Sequence, residues 1–211
     1  MLVNLKTWLK TRSWHWCLAA AIVLIAAFVR FYNLPNNVMF LGDQGRDALI
    51  VSKIFKEKDP VFIGPVTSVG NMYLGPFYYY FMLPFLWLSY PSPMGPVYAV
   101  ALLSVFTVGL LYWVGKKMFN PMIGLVASLT LALSATAATY SRFSWNPNLA
   151  PLFAIIMIYC NWKALKKPKY WIGVIASFAI LIQLHYLTLL SGAAAGVLWL
   201  IQLIRIFKKK K

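Results

Sequence analysis

The chain has 211 residues, 61% of them hydrophobic and 17% aromatic, with a mean hydropathy of +0.70. That is too apolar for a water-soluble domain of this size and places the protein in a membrane. Its 20 Lys and Arg against four Asp and Glu give a net charge of +16. In a membrane protein such an excess belongs to cytoplasmic loops facing anionic lipid, so no nucleic-acid partner follows from it.

Lys6, Lys10 and Arg12 precede the first apolar run, which ends at Arg30 without a small-residue cleavage pattern. Residues 1–13 therefore read as a cytoplasmic N-terminus and the run as an uncleaved signal anchor. Apolar runs lie at roughly 14–32, 73–90, 96–114, 121–139, 149–162, 170–184 and 187–206. Several approach the ~20 residues that cross a bilayer as a helix, and the alternating ~10-residue segments of a β-barrel are absent. Cys17 and Cys160 fall inside apolar runs without metal-type spacing and read as buried thiols.

Seven crossings would put the Lys-rich stretch KALKKPK (163–169) outside, against the preference of Lys and Arg for cytoplasmic loops. Removing one crossing before residue 96 repairs every loop. The cytoplasmic side then holds Lys6, Lys10, Arg12, Lys116, Lys117, Lys163, Lys166, Lys167, Lys169, Arg205 and the Lys208–Lys211 tail, with no acid. All four acids, Asp43, Asp47, Glu57 and Asp59, fall outside. The run that does not cross is 73–90, whose nine aromatic residues and two prolines suit an interface. Residues 47–58 read as a surface helix, with Ile50, Val51, Ile54 and Phe55 on one face and Lys53, Lys56, Glu57 and Lys58 on the other. The expected fold is an all-α integral membrane protein: a polytopic helical bundle of about six transmembrane helices in one domain, 14–211. Both termini are cytoplasmic, the outer loop spans 33–95 with juxtamembrane helices in it, and the location is the plasma membrane.

Asp43 and Asp47 open that outer loop. A structural reading makes Asp43 an N-cap and Asp47 a first-turn acid complementing the helix dipole, each worth roughly 0.5–1 kcal/mol. A functional reading makes Asp43 a general base, since a carboxylate beside a hydrocarbon boundary with Arg46 nearby has its proton affinity set by burial and by the cation. Arg46 and Arg142 are of the right type to bind phosphate oxygens, or to snorkel to headgroups. His185 is placed to hydrogen-bond a substrate hydroxyl or phosphate, or else to be satisfied by backbone. Tyr78, Tyr79 and Tyr80 read as aromatic-belt packing, and Gly70 and Gly75 as turn signals. No Walker loop, zinc spacing, Ser/His/Asp order or GxGxxG occurs.

The succession RFYNLP (30–35), FLGDQGRDA (40–48), KDPVFIGP (58–65), LGPFYYYFMLPFLWL (74–88) and YSRFSWNPNLAPLF (140–153) resembles the N-terminal half of GT-C glycosyltransferases. Within them it is most similar to the protein O-mannosyltransferase and aminoarabinose transferase group. The resemblance implies that Asp43 is the catalytic Asp and that Gln44 replaces the Glu after it, as a hydrogen-bonding group. It makes Arg142 the Arg of the second outer loop. Asn146 stands beside Pro147, where a second carboxylate is expected, and joins the substrate-binding set with Gln44, Arg46, Arg142 and His185. Leu74-Gly75 stands where the aminoarabinose enzymes carry Glu-Lys. The implied chemistry is transfer, with inversion, of a sugar from a polyprenyl-phosphate donor to an acceptor glycan, lipid or protein on the outer face, by a truncated or partial enzyme among membrane lipids. No metal ligand set is found, and a divalent cation is the only cofactor the resemblance brings into view. The alternative is a non-catalytic carrier-lipid transporter or assembly subunit on the same scaffold, which charges inside the bundle would mark.

Overall fold

The computed structural model describes residues 14–209, so Lys6, Lys10 and Arg12 of the expected cytoplasmic N-terminus lie outside the described residues, as do Lys210 and Lys211. Nine α-helices occur among the described residues: α1 Trp14–Phe31, α2 Gly42–Lys56, α3 Phe77–Ser89, α4 Met94–Met118, α5 Pro121–Leu133, α6 Ala135–Tyr140, α7 Ala150–Ala164, α8 Trp171–Leu184 and α9 Leu189–Lys209. Short 3₁₀ turns, Asn146–Leu149, Pro168–Tyr170 and Tyr186–Thr188, lead into α7, α8 and α9. The described residues form no strand, only an isolated bridge between Val66 and Tyr73.

Three helical stretches, Trp14–Phe31, Met94–Met118 and Tyr186–Arg205, are each long and apolar enough to cross a membrane. α5, α7 and α8, with 13, 15 and 14 residues, are shorter on their own. The run 121–139, expected as one helix, is two. Asn120 caps the start of α5 by accepting from the Ile123 N–H, and Pro121 follows it at the first helical position. Ser134 then adopts extended backbone, ending α5, and its hydroxyl accepts from the Ala137 N–H to start α6.

The long helices alternate in direction. The start of α1 meets the end of α4 through a 2.7 Å hydrogen bond between His15 Nδ1 and the Tyr112 hydroxyl, and Lys116 Nζ sits 3.9 Å above the Trp16 ring. The start of α5 joins them at Gly115 and Gly124, where a Cβ on Gly115 would lie 2.8 Å from Gly124 Cα. α7 and α8 also run antiparallel: Cys160 Sγ fills the space beside Gly173 at one end, and the Asn146 amide donates to the Leu184 carbonyl at the other. Gln202 of α9 accepts from Trp171 Nε1 and donates to the Ala164 carbonyl, which fixes α9 parallel to α7. The Lys-bearing turns 116–120 and 163–170 and the end of α9 therefore share one end of the bundle. The opposite end carries α2, α3 and the irregular segments.

At that opposite end Val51, Tyr78, Tyr79, Met82, Leu86 and Leu184 form one buried cluster. α2 presents the apolar face expected of residues 47–58, but it starts five residues earlier, at Gly42, and ends at Lys56. α3 has 13 residues, roughly 20 Å, short of the ~30 Å hydrocarbon core. Two of its three consecutive tyrosines, Tyr78 and Tyr79, are core residues instead of belt residues, and only Tyr80 faces out, donating to the Val61 carbonyl. Cys160 is buried as expected, whereas Cys17 is exposed on the outside of α1.

Candidate active site at the acidic end of the bundle

The first turn of α2 sets the geometry. Leu41 occupies the N-cap position in extended backbone, with no side-chain cap, so Asp43 is not the N-cap and its carboxylate is left for other partners. Arg46 lies one turn on and Asp47 follows it. Arg46 Nη1 donates to Asp43 Oδ1 at 2.9 Å, while Nε and Nη2 both donate to Asp47 Oδ1 at 2.9 and 2.8 Å. One guanidinium thus bridges two carboxylates of unequal exposure: the Asp43 side chain is 47% exposed and that of Asp47 1%. Asp47 Oδ2 is buried without a hydrogen-bond partner. Burial pushes the Asp47 carboxyl above its usual value, against the opposing pull of Arg46. Burial alone would lower Arg46, but Asp47 and then Asp43 more than offset it, and the guanidinium is held more firmly protonated than usual. Asp47 is therefore a buried second-turn acid, not the first-turn helix-dipole partner that its sequence position suggests.

Asp43 and Arg46 line a cleft of about 120 Å³. Its second wall is a hairpin, residues 64–74, closed by hydrogen bonds from Gly64 N to Leu74 O, Leu74 N to Pro65 O and Thr67 N to Met72 O, each 2.9 Å. Gly70 turns the hairpin at φ +57°, in the left-handed region glycine favours. Gly64 and Gly75 pack so closely that a Cβ on Gly64 would collide with the Gly75 carbonyl. The third wall comes from Trp145, Asn146, Pro147, His185 and Tyr186, some 100 to 140 residues further along the chain. His185 Nδ1 accepts from the Leu187 N–H at 3.2 Å, which leaves Nε2 to carry the ring proton as a donor. Asn146 is buried and holds the Leu184–His185 turn through its amide.

Four of the six expected site residues, Asp43, Arg46, Asn146 and His185, thus converge on one cleft. Gln44 and Arg142 do not line it. Gln44 is buried, donating to the Met39 carbonyl and accepting from the Ser144 N–H at 2.9 Å, so it ties the start of α2 to the loop carrying Trp145. Arg142 donates from Nη1 to Val29 O at 3.2 Å and from Nη2 to Tyr32 O at 2.7 Å, fastening the same loop to the end of α1. The position occupied by Glu-Lys in the aminoarabinose enzymes is filled differently: Leu74 lines the cleft, and Gly75 leaves room for Gln183, whose Oε1 accepts from the Phe77 N–H at the start of α3.

Sequence reasoning missed the hairpin wall, Trp145 and the inward face of Asp47. Gly64, Gly70 and Gly75 carried the hairpin's signal, and nothing local carried the other two. Among the described residues no three His, Cys, Asp or Glu side chains group as metal ligands. A cation between Asp43 and Asp47 would have to displace Arg46, so the residues present do not fit a metal there.

The sequence matches the dolichyl-phosphate-mannose-protein mannosyltransferase family over residues 75–211. The chain belongs to that family. It is accordingly a membrane glycosyltransferase of the GT-C type. The matched residues take in α3 to α9, with Arg142, Asn146 and His185, and leave α2 with Asp43, Gln44 and Arg46 ahead of them. No curated protein and no solved structure matches the chain.

Proposed function

We propose that this mannosyltransferase-family chain transfers a sugar from a polyprenyl-phosphate donor to an acceptor hydroxyl at the extracytoplasmic face, with Asp43 as general base. The observation that carries this reading is the convergence of Asp43, Arg46, Asn146 and His185 on one cleft at the end of the bundle opposite the turns that carry Lys116, Lys117, Lys163, Lys166, Lys167 and Lys169. Short loops rich in Lys and free of acids stay cytoplasmic, and all four acids lie at the other end, so the cleft end faces outward. In this arrangement α1, α4, α5 with α6, 146–164, 168–184 and 186–209 make six crossings, while α2 and α3 rest at the outer interface of the plasma membrane.

The acceptor O–H gives its proton to the Asp43 carboxylate as its oxygen bonds to the anomeric carbon. The bond from that carbon to the phosphate oxygen breaks, its electron pair leaves with the polyprenyl phosphate, and the configuration inverts. The exposed side of Asp43 admits the acceptor, and the Arg46 contact fixes which carboxylate oxygen remains for the proton. His185 Nε2–H and the N–H groups of Arg46 not directed at carboxylates are the donors that meet charge developing on the leaving phosphate. Arg142 and Gln44 act at one remove, by holding the loop that presents Trp145 and Asn146. The buried Arg30 does not favour a transporter, because its donors go to Ser104 Oγ and to backbone carbonyls at the ends of α1 and α5.

The test is to supply membranes containing the protein with a polyprenyl-phosphate donor radiolabelled in its sugar, and to follow label into the acceptor fraction with the anomeric configuration determined. Transfer with inversion is expected. Transfer with retention would overturn the single displacement, and label that stays on the lipid while the protein binds it would favour a non-catalytic role.

A further inference from the structure

Asp47 presents a puzzle that its neighbours resolve. A carboxylate at 1% exposure has lost its hydration, and one of its oxygens, Oδ2, has no partner. Leaving such a group buried is costly unless a cation offsets the charge. The offset is Arg46, and both of its bonds to Asp47 fall on the same oxygen. If Arg46 turned wholly toward a ligand, Asp47 would be left buried without a counter-charge, with only the Tyr79 hydroxyl beside it. Arg46 is therefore held by the residue beneath it, with Nη1 reaching outward to Asp43 and one N–H on each of Nη1 and Nη2 not directed at a carboxylate.

We infer that Asp47 is a positioning residue for transfer: it pins Arg46 so that the guanidinium is shared between two carboxylates, and thereby sets the orientation of Asp43 and which of its oxygens stays open to the acceptor. This rests on the reading of Asp43 as the base. With Asp47 beneath it, the guanidinium reaches Asp43 through Nη1 on one oxygen only, so the other Asp43 oxygen stays open. A guanidinium given to Asp43 alone could engage both carboxylate oxygens side by side and occupy the one that takes the proton. The charged or titratable groups around this pair are Arg46 on α2, Tyr78 and Tyr79 on α3, and His185 and Tyr186 across the cleft.

The experiment measures kcat and KM for donor turnover by wild type, Asp47→Asn, Asp47→Glu and Asp43→Asn in the same membranes, normalised to folded protein. Asn keeps the volume and the acceptor oxygen but removes the charge, so Arg46 falls to Asp43. For Asp47→Asn kcat is expected to fall on the order of tenfold with KM little changed, and Asp47→Glu, which keeps the charge, should recover part of kcat. A structural role alone would lower the yield of folded protein and leave kcat and KM per folded molecule in place, and that result overturns the proposal. If Asp43→Asn retains turnover the base reading itself fails. If Asp43→Asn is inactive while kcat of Asp47→Asn matches wild type, only the positioning role is lost.

Discussion

Two arginine clusters at the same end of the bundle solve the same problem in opposite ways. Arg30 is fully buried, yet no carboxylate among the described residues touches it: Nε donates to Ser104 Oγ at 2.7 Å, and Nη1 and Nη2 donate to the Ala26, Ala132 and Leu131 carbonyls at 3.2 to 3.3 Å. The Leu131 and Ala132 carbonyls belong to the last turn of α5, where the extended backbone of Ser134 stops the helix and removes their usual N–H partners. Arg142 closes the end of α1 in the same manner. Arg46, in contrast, is given to two carboxylates beside an open cleft. Arginines directed at backbone carbonyls close helix ends, and the one directed at carboxylates borders the cleft. Side-chain type alone could not separate them.

The largest effect expected from this contrast is at Arg30. Arg30→Ala leaves the Leu131 and Ala132 carbonyls without donors and opens a void, at a cost of about 3 to 5 kcal/mol. Thermal unfolding in detergent should show it, with Arg30→Lys recovering part. Near-wild-type stability in Arg30→Ala would erase the distinction between the clusters. Arg142→Ala should cost less, about 1 to 3 kcal/mol, because Arg142 is only part-buried. Its donor affinity, measured by lipid binding on the folded fraction, should stay near wild type. A strong loss of donor affinity would return Arg142 to the phosphate-binding role that the family resemblance suggests. Gly115→Val tests the scaffold away from both clusters, since a side chain there meets the α5 backbone at Gly124, and a loss of about 1 to 3 kcal/mol is expected. The smallest perturbation is cysteine labelling on a background lacking Cys17 and Cys160. If α3 rests at the outer interface as proposed, a membrane-impermeant reagent applied outside should modify Ser68→Cys and Ser92→Cys alike. Modification at 68 without 92 would make α3 a crossing helix.

Much of the architecture was legible because bilayer physics writes it into composition. The apolar runs, the acid-free lysine turns 116–117 and 163–169 of one end and the acids of the other were all visible, as was the apolar face of α2 at Ile50, Val51, Ile54 and Phe55. The start of α2 was hidden because the apolar face that marks 47–58 does not extend back through Gly42 and Gly45, although glycine is tolerated in a first turn. The split of 121–139 was hidden because Ser134 looks like any small polar residue in a span. The site was legible to the extent that residue type implies role: Asp43, Arg46, Asn146 and His185 do meet. Partners across long sequence separation were not legible. Nothing near Arg142 indicates that its acceptors lie at Val29 and Tyr32, nothing near Gln44 points to Ser144, and nothing in GRDA says that the second Asp turns inward under Tyr79 while the first faces the cleft. Those outcomes depend on how α2 and the 140–149 segment dock on the bundle, and local pattern does not encode docking.

The central claim is that Asp43 takes a proton during sugar transfer, and the most direct test is donor turnover by Asp43→Asn. The N-cap is Leu41, so the substitution disturbs no cap, and it exchanges a half-exposed carboxylate for an amide of the same size. Turnover per folded molecule should fall by about 10² to 10⁴-fold, the usual worth of general-base assistance, while thermal stability stays close to wild type. Turnover within a few-fold of wild type, with the protein folded and the donor bound, would contradict the account.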